Sequence, residues 1–255
     1  MSIVSKCGYA LLLSMPLFAV SASAGVITYR GIASVVTFDP TMPRTRKDAG
    51  ATTLGPATYL VALGGNNAKS ASRDANGGSV ISEVTTLDGQ AAALTQLGYR
   101  ARLIGPDGPA IKVRVLASGY ADGIGFNSSS SAFFALQGTQ NLLGAFEDVS
   151  GNASDQHGVG RQEFLIDRVV KITPNIDFIV NIEASASAGL LEVTSASFAQ
   201  AFVDPRFIVL DPFLAANYHF EGIPQAAVTS NVPAPATGML LMLGMSALGL
   251  ARRKR

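Results

Sequence analysis

The 255-residue chain has one cysteine, Cys7, and no tryptophan. A lone thiol excludes a disulfide framework, and once the leader described below is removed it also excludes zinc–thiolate and cysteine chemistry, so the fold must rely on its core. Histidine is equally scarce. His157 sits in a Gly/Asn loop and His219 between Tyr218 and Phe220. Neither has a carboxylate at a telling spacing, and both read as structural or solvated. There is no Gly-x-Ser-x-Gly elbow, no His-Glu-x-x-His, no phosphate-binding Gly-x-x-x-x-Gly-Lys loop and no dinucleotide Gly-x-Gly-x-x-Gly. Asp148, Asn152 and Asp155 could offer hard oxygen ligands to calcium, but without the Asp-x-Asp-x-Asp-Gly order of a dedicated loop they read as a solvated polar segment. Carboxylate pairs for glycoside hydrolysis meet only in the fold, and no particular pair stands out. The sequence therefore nominates no catalytic residue, no metal ligands and no cofactor.

Charge of one sign is also lacking. Removing Lys6 and the four C-terminal cations from the 19 Lys and Arg leaves 14 against 18 Asp and Glu, a net charge of −4 for the body. Nucleic-acid binding needs a clustered basic surface, which this balance does not provide. The small basic group Arg44, Arg46 and Lys47 reads as a solvated loop.

Helical periodicity is rare, and period-two alternation takes its place. From Asp177 to Ala188, Phe178, Val180, Ile182, Ala184, Ala186 and Ala188 alternate with Ile179, Asn181, Glu183, Ser185 and Ser187, the pattern of a half-buried antiparallel strand. Ile111, Val113 and Val115 alternate in the same way with Lys112 and Arg114. With Tyr99 to Ile104 they suggest a hairpin through Gly105-Pro106-Asp107-Gly108-Pro109. Further strand candidates are Val26–Tyr29, Ser34–Phe38, Thr58–Leu63, Val80–Leu87, Ala132–Leu136, Leu142–Phe146, Phe164–Ile172, Val193–Phe202, Phe207–Leu210 and Tyr218–Phe220. Gly64–Gly78, Asn127–Ser131 and Ser150–Gly160 read as exposed polar loops. Ala91–Leu97 fits either a helical turn or part of an edge strand. Asp211-Pro212 suits the cap and first position of one helical turn through Ala216. The expected architecture is mainly β, an antiparallel β-sandwich or jelly-roll-like body over residues 25–222, followed by an aperiodic linker, 223–231. Density in Ala and Ser, as in Glu183–Ser187 and Val193–Ala199, predicts closely approaching sheets with Ala184 and Ala186 facing the core.

Two apolar segments flank this body. Residues 1–24 combine Lys6, an apolar core from Tyr9 to Val20, and small residues at Ala22 and Ala24, which is the pattern of a secretory signal peptide cut between Ala24 and Gly25. Cys7 precedes that apolar core instead of ending it, so it is not a lipoprotein attachment site. At the other end stands Val232-Pro-Ala-Pro-Ala-Thr, then Met239 to Ala251 without a charge, then Arg252, Arg253, Lys254 and Arg255. At about 1.5 Å per residue the apolar run covers about 20 Å against a hydrocarbon core of about 30 Å, which makes a marginal span. The basic block keeps its side of the membrane cytoplasmic and places the body outside.

In its order of motif, short apolar helix and basic tail, this C-terminus resembles the PEP-CTERM sorting signal of Gram-negative exopolysaccharide producers. Val232, Pro233, Pro235, Ala236 and Thr237 match that signal, whereas its usual Glu is Ala234 here. The match covers about a tenth of the chain. The resemblance implies a sorting motif at 232–237, a transmembrane helix at 238–251 and a basic tail at 252–255. It further implies signal peptidase and an exosortase-type protease as partners, transient residence in the inner membrane, and release to the cell surface or beyond. The leading reading is an exported, non-enzymatic surface or matrix protein associated with exopolysaccharide or biofilm. One alternative is a carbohydrate-binding sandwich, in which Tyr29, Tyr59, Tyr99, Tyr120 and Tyr218 would replace the missing Trp as stacking platforms. A secreted hydrolase is the other.

Overall fold

The computed structural model describes residues 27–37, 45–74, 77–125, 127–138, 149–156, 160–189 and 194–224. The leader with Ala24 and Gly25, the candidate strand Leu142–Phe146, Asp148, His157 and the whole C-terminal signal lie outside these residues.

Strand β5, Ser79–Ile104, organises the body. Twenty-six residues at about 3.3 Å each would reach about 85 Å, roughly twice the width of a globule of this size, so the strand cannot run straight. It turns at Gly89, where φ is +137° and a side chain would collide with the carbonyl oxygen of Val36. Only glycine tolerates that conformation and contact. Ser79–Asp88 then serves one half of the sheet and Gly89–Ile104 the other.

In the first half, β5 lies between β1 (Ile27–Thr37) and β10 (Asp177–Ala188). Outside β1 comes β2 (Thr45–Thr53), and outside β10 come β7 (Ser129–Gly138) and β8 (Val149–Asp155). In the second half, β5 lies between β4 (Asn66–Arg73) and β11 (Thr194–Val209). Beyond β4 is β3 (Thr58–Leu63), and beyond β11 are β6 (Ile111–Ile124) and β9 (Gln162–Ile172). A short helix, α1 (Pro212–Ala215), and β12 (His219–Glu221), which pairs with the end of β5, complete the described chain. Every ladder is antiparallel, and the twelve strands form one sheet. The body is mainly β, nearly closed into a barrel or sandwich-like shell. Among the described residues no helix is long and apolar enough to cross a membrane.

The interior has two parts. Tyr99, Phe134, Phe178, Leu97, Leu103, Val113, Val170 and Val203 fill the wide end. At the narrow end the core is mostly alanine, with Ala33, Ala68, Ala91, Ala93, Ala186, Ala188 and Ala199. Buried hydroxyls sit where the parts meet: Ser70 and Ser82 both bond Thr95, at 2.8 and 2.9 Å. Ser82 also donates across the interior to the carbonyl oxygen of Ala184, at 2.8 Å. The small residues thus bring the halves within direct hydrogen-bonding reach, and Ala184 and Ala186 face the core. The alternation along β10 is the one read from the sequence.

Several expectations are overturned. Tyr99–Ile104 and Ile111–Val115 form no hairpin, because β5 ends in the first half and β6 belongs to the second. Residues 105–110 cross between them and are tied down by Asn175, whose amide donates to Gly105 O (3.0 Å) and Asp107 Oδ1 (2.7 Å), and by Tyr218, whose hydroxyl donates to Pro106 O (3.1 Å). Most of Gly64–Gly78 is strand β4, not an exposed loop. Its weak strand formers are held by tertiary bonds: Asn66 Nδ2 donates to Asp88 O at 3.0 Å and Ser70 Oγ to Leu94 O at 2.9 Å. The segments 127–131 and 150–160 likewise contribute to β7 and β8. Arg46 and Lys47 lie on β2, an exposed edge strand and not a loop. Ala91–Leu97 is neither helical nor at an edge, since β1 and β10 flank it. β11 continues through Pro205, which the sequence reading placed in a gap. This position lies beyond Val203, the last residue paired with β5, so its missing N–H costs no bond on that side. The Asp211 cap does form, accepting from Phe213 N (2.9 Å) and Leu214 N (3.3 Å).

Ala184→Arg should abolish folding. The added guanidinium would have to enter a fully buried site beside Ser82 without a partner, a cost of several kcal/mol against a total stability of about 5–15 kcal/mol. The check is the yield of soluble protein and a thermal melt; a soluble variant that melts cooperatively would contradict this packing.

Candidate functional site

The two halves turn different faces to solvent. On the outward face of the first half, charges are paired within the face: Arg102 Nε donates to Asp177 Oδ1 at 2.6 Å, with Arg100 3.7 Å from Oδ2. Gln96 Nε2 donates to Glu183 Oε2 at 3.2 Å, and Ser131 and Ser185 share a 2.8 Å bond. Burial pushes the Glu183 carboxyl above its usual range, and the Gln96 amide opposes this only in part.

The second half is built differently, and β11 shows why. Its inward positions are Ala199 and Ala201, both fully buried, while Phe198 and Phe202 point outward and are half-exposed. On the inner side the Phe164 ring of β9 packs against Gly119, and on β11 the aromatic rings take the outer side. The same inversion holds on β6, where Ala117, Gly119 and Ala121 face inward and Tyr120 outward. Phe202 and Tyr120 are cross-strand partners with ring centroids 5.7 Å apart, and the Arg161 guanidinium lies 3.9 Å from the Tyr120 centroid. Ile81 continues this row on β5. Four residues along the strands, Thr85, Phe198 and Ile124 make a parallel row, and Ile124 is 62% exposed.

Between these rows runs a polar one. Lys69, Glu83, Gln200 and Asp122 stand in register on β4, β5, β11 and β6. Gln200 Nε2 donates to Glu83 Oε2 at 3.3 Å. By strand spacing, Glu83 and Asp122 are about 10 Å apart across Gln200. Burial raises the Tyr120 phenol above its ordinary value, Arg161 lowers it, and Glu83 and Asp122 raise it further. The result is a face on which a row of hydrogen-bonding groups lies between two apolar rows.

The residues singled out from sequence fall elsewhere. The signal residues, Val232 to Thr237 and Arg252 to Arg255, are outside the described chain. Of the tyrosines offered as stacking platforms, Tyr29, Tyr99 and Tyr218 are buried. Tyr29 donates to Asp74, and burial together with that carboxylate pushes its phenol up. Tyr99 donates to Gly77 O at 2.7 Å. Tyr59 and Tyr120 lie half-buried on different strands, so the five form no line. Asn152 and Asp155 point to opposite sides of β8, Asn152 exposed and Asp155 buried, so the structure does not bring them together as ligands. Among the described residues no group of His, Cys, Asp and Glu is arranged to hold a metal. His219 is exposed on β12. Reading the sequence missed Phe198, Gln200 and Phe202, because β11 alternates Phe with Ala and the larger residue is ordinarily assigned inward.

No family model and no curated protein matches the chain. Among solved structures it is similar to the enzymatically active domain of tailspike protein 4 of bacteriophage CBA120, with 9% identity and a TM-score of 0.19 over 58% of this chain and 18% of that one. It is also similar to a structure of infectious bursal disease virus, Gx strain, with 10% identity and a TM-score of 0.17 over 88% and 71% of the two chains. The chain spans less than a fifth of the length of the tailspike chain.

Glu183→Gln should raise the melting temperature near neutral pH. A carboxyl whose folded pKa lies above its unfolded one favours the folded state only while protonated, and that contribution is lost as pH rises through the folded value. The amide stays neutral throughout, so its advantage should fade as pH falls below the ordinary value of 4.5. Thermal melts across that range provide the check, and a shift of equal size at every pH would assign the effect to geometry instead of charge.

Proposed function

We propose that the protein is an exported, non-enzymatic surface or extracellular-matrix protein, delivered by its N-terminal leader and sorted through a C-terminal signal of the exosortase type. The observation that supports this best is the order of elements after the body: Val232-Pro-Ala-Pro-Ala-Thr, a short uncharged run, and Arg252 to Arg255. In this reading the chain passes the inner membrane, signal peptidase cuts between Ala24 and Gly25, and residues 238–251 stall as a transmembrane helix with the cations inside. The sorting protease then cuts near the Pro-x-Pro motif, where Pro233 and Pro235 bias the backbone toward the extended form a protease can read. The finer description of the body is an antiparallel β-sandwich whose layers share β5. It is supported by side chains from both halves meeting in one core. A fold without disulfides is compatible with export, because its packing and buried hydrogen bonds need no oxidant.

The mature protein in its producer should therefore end near Thr237. Mass spectrometry of the surface or secreted form decides this: a dominant C-terminal peptide that retains Met239 to Arg255 would overturn the processing step. Neutral replacements at Arg252, Arg253, Lys254 and Arg255 should weaken membrane retention and orientation while leaving the melt of the body unchanged.

A further inference from the structure

We infer that the outward face of the second half is a binding site for a polysaccharide chain, centred on Gln200 and Phe202. The inference rests on the proposed extracellular role, and it names the class of partner.

Three observations lead to it. First, Phe198 and Phe202 are not needed in the core: the interior positions of the same strand are filled by Ala199 and Ala201, and the rings remain half-exposed at the surface. Second, the polar row Glu83, Gln200 and Asp122 lies between the Phe202–Tyr120 row and the Phe198–Ile124 row. Hydrogen-bonding groups thus alternate with apolar strips on one surface. Third, the polar row offers both kinds of group: a donor in the Gln200 amide, which reaches Glu83 Oε2 at 3.3 Å, and acceptors in both carboxylates. A sugar ring has the matching chemistry, with C–H faces that settle on aromatic rings and hydroxyls around the rim that both donate and accept. A chain laid across β5, β11 and β6 would meet Glu83, Gln200 and Asp122 in turn over about 10 Å.

A dry protein interface fits this face less well. It would have to strip water from Lys69, Glu83 and Asp122 without replacing their bonds, and charged residues are depleted at the centre of such interfaces for that reason. Sugar hydroxyls replace the lost water bonds directly. The two carboxylates outnumber Lys69 in the row, and Arg161 beside it is paired with Glu163, so the face favours a neutral polysaccharide over an anionic one. Arg161 covers one face of Tyr120, so the stacking surface is supplied by the phenylalanines, with Phe198 and Phe202 on either side of the polar row.

The test is a titration of the purified full-length protein in detergent with cellohexaose, chitohexaose, xylohexaose and oligogalacturonate. Saturable binding of at least one neutral oligosaccharide, in preference to the anionic oligogalacturonate, is expected. Phe202→Ala and Gln200→Ala should each weaken it about tenfold. Asn181→Ala, on the opposite face, should leave it unchanged. Thermal melts identify any variant that has lost its fold, and Gln200→Ala changes a half-buried surface amide, so one informative variant remains if Phe202→Ala unfolds. Absence of binding to all four probes by the folded protein would overturn the inference, as would binding that neither variant alters. Self-association abolished by Phe202→Ala, without sugar binding, would make the face a protein interface and overturn it as well. None of these outcomes touches the processing step, which is read separately from the mature C-terminus.

Discussion

The hydrogen bond from Ser82 to the carbonyl oxygen of Ala184 links the two halves directly through the interior. Such a bond forms only where the layers are too close for ordinary core side chains, since facing sheets usually pack about 10 Å apart with interdigitated residues between them. The consequences spread along the chain. Ala184, Ala186, Ala199 and Ala201 must be small, the hydroxyls of Ser70, Ser82 and Thr95 must satisfy one another, and larger residues must go to the wide end or outside. These three buried hydroxyls without partners would cost about 1–3 kcal/mol per group, so their mutual bonding is a condition of the fold.

The same constraint explains the surface. In an ordinary antiparallel sheet one face is apolar and packed and the other is polar and wet. Here the second half carries Phe198, Phe202, Tyr120 and Ile124 on its wet side, opposite a stretch of Ala199, Ala201, Ala117, Gly119 and Ala121 on its inner side. Cross-strand pairs such as Phe202–Tyr120 stabilise the sheet by about 0.2–1 kcal/mol. That gain does not require two apolar rows with Glu83, Gln200 and Asp122 aligned between them. Outward charges are paired in both halves, Arg102 with Asp177 in the first and Arg114 with Asp167 in the second, but the exposed Phe133 of the first half has Glu183 and Asn152 as cross-strand neighbours and no aromatic partner in register.

How much could be read from the sequence depended on what the alternation contained. In β10 the inward set is bulky at one end and the outward set polar, so period two gave both the strand and its orientation. In β4 the residues Asn66 to Arg73 are small and polar on both faces, and propensity alone made them a loop; their strand is imposed by bonds to Asp88 and Leu94, about twenty residues away. Residues 105–110 carry every mark of a hairpin turn, yet a turn sequence specifies a reversal of direction and not the sheet in which the next strand pairs. The aromatic face was hidden for a third reason. Assigning Phe inward and Ala outward is correct for a wide interior and wrong for a narrow one, and interior width is a property of both layers together. The proposed sorting elements rest on linear order along the chain and not on the fold.

The two ends of the described chain meet at one place, and this relates the body to its flanking segments. Ile27 pairs with Tyr99, and Tyr99 reaches across to donate its hydroxyl to Gly77 O. Gly77 N in turn donates to Pro224 O at 3.1 Å, and Gly222 packs against the Arg100 carbonyl. Ile27 and Pro224 therefore lie beside the same place in the body, around Tyr99 and Gly77. A force on Pro224 would load Gly77, which accepts the Tyr99 hydroxyl, and not a free edge strand. In the proposed reading, the segment beyond Pro224 is held and then cut while the ladder of β5 with β1 and β10 stays intact. The aromatic face, carried by β11 and β6 on the outside of the second half, does not include this place.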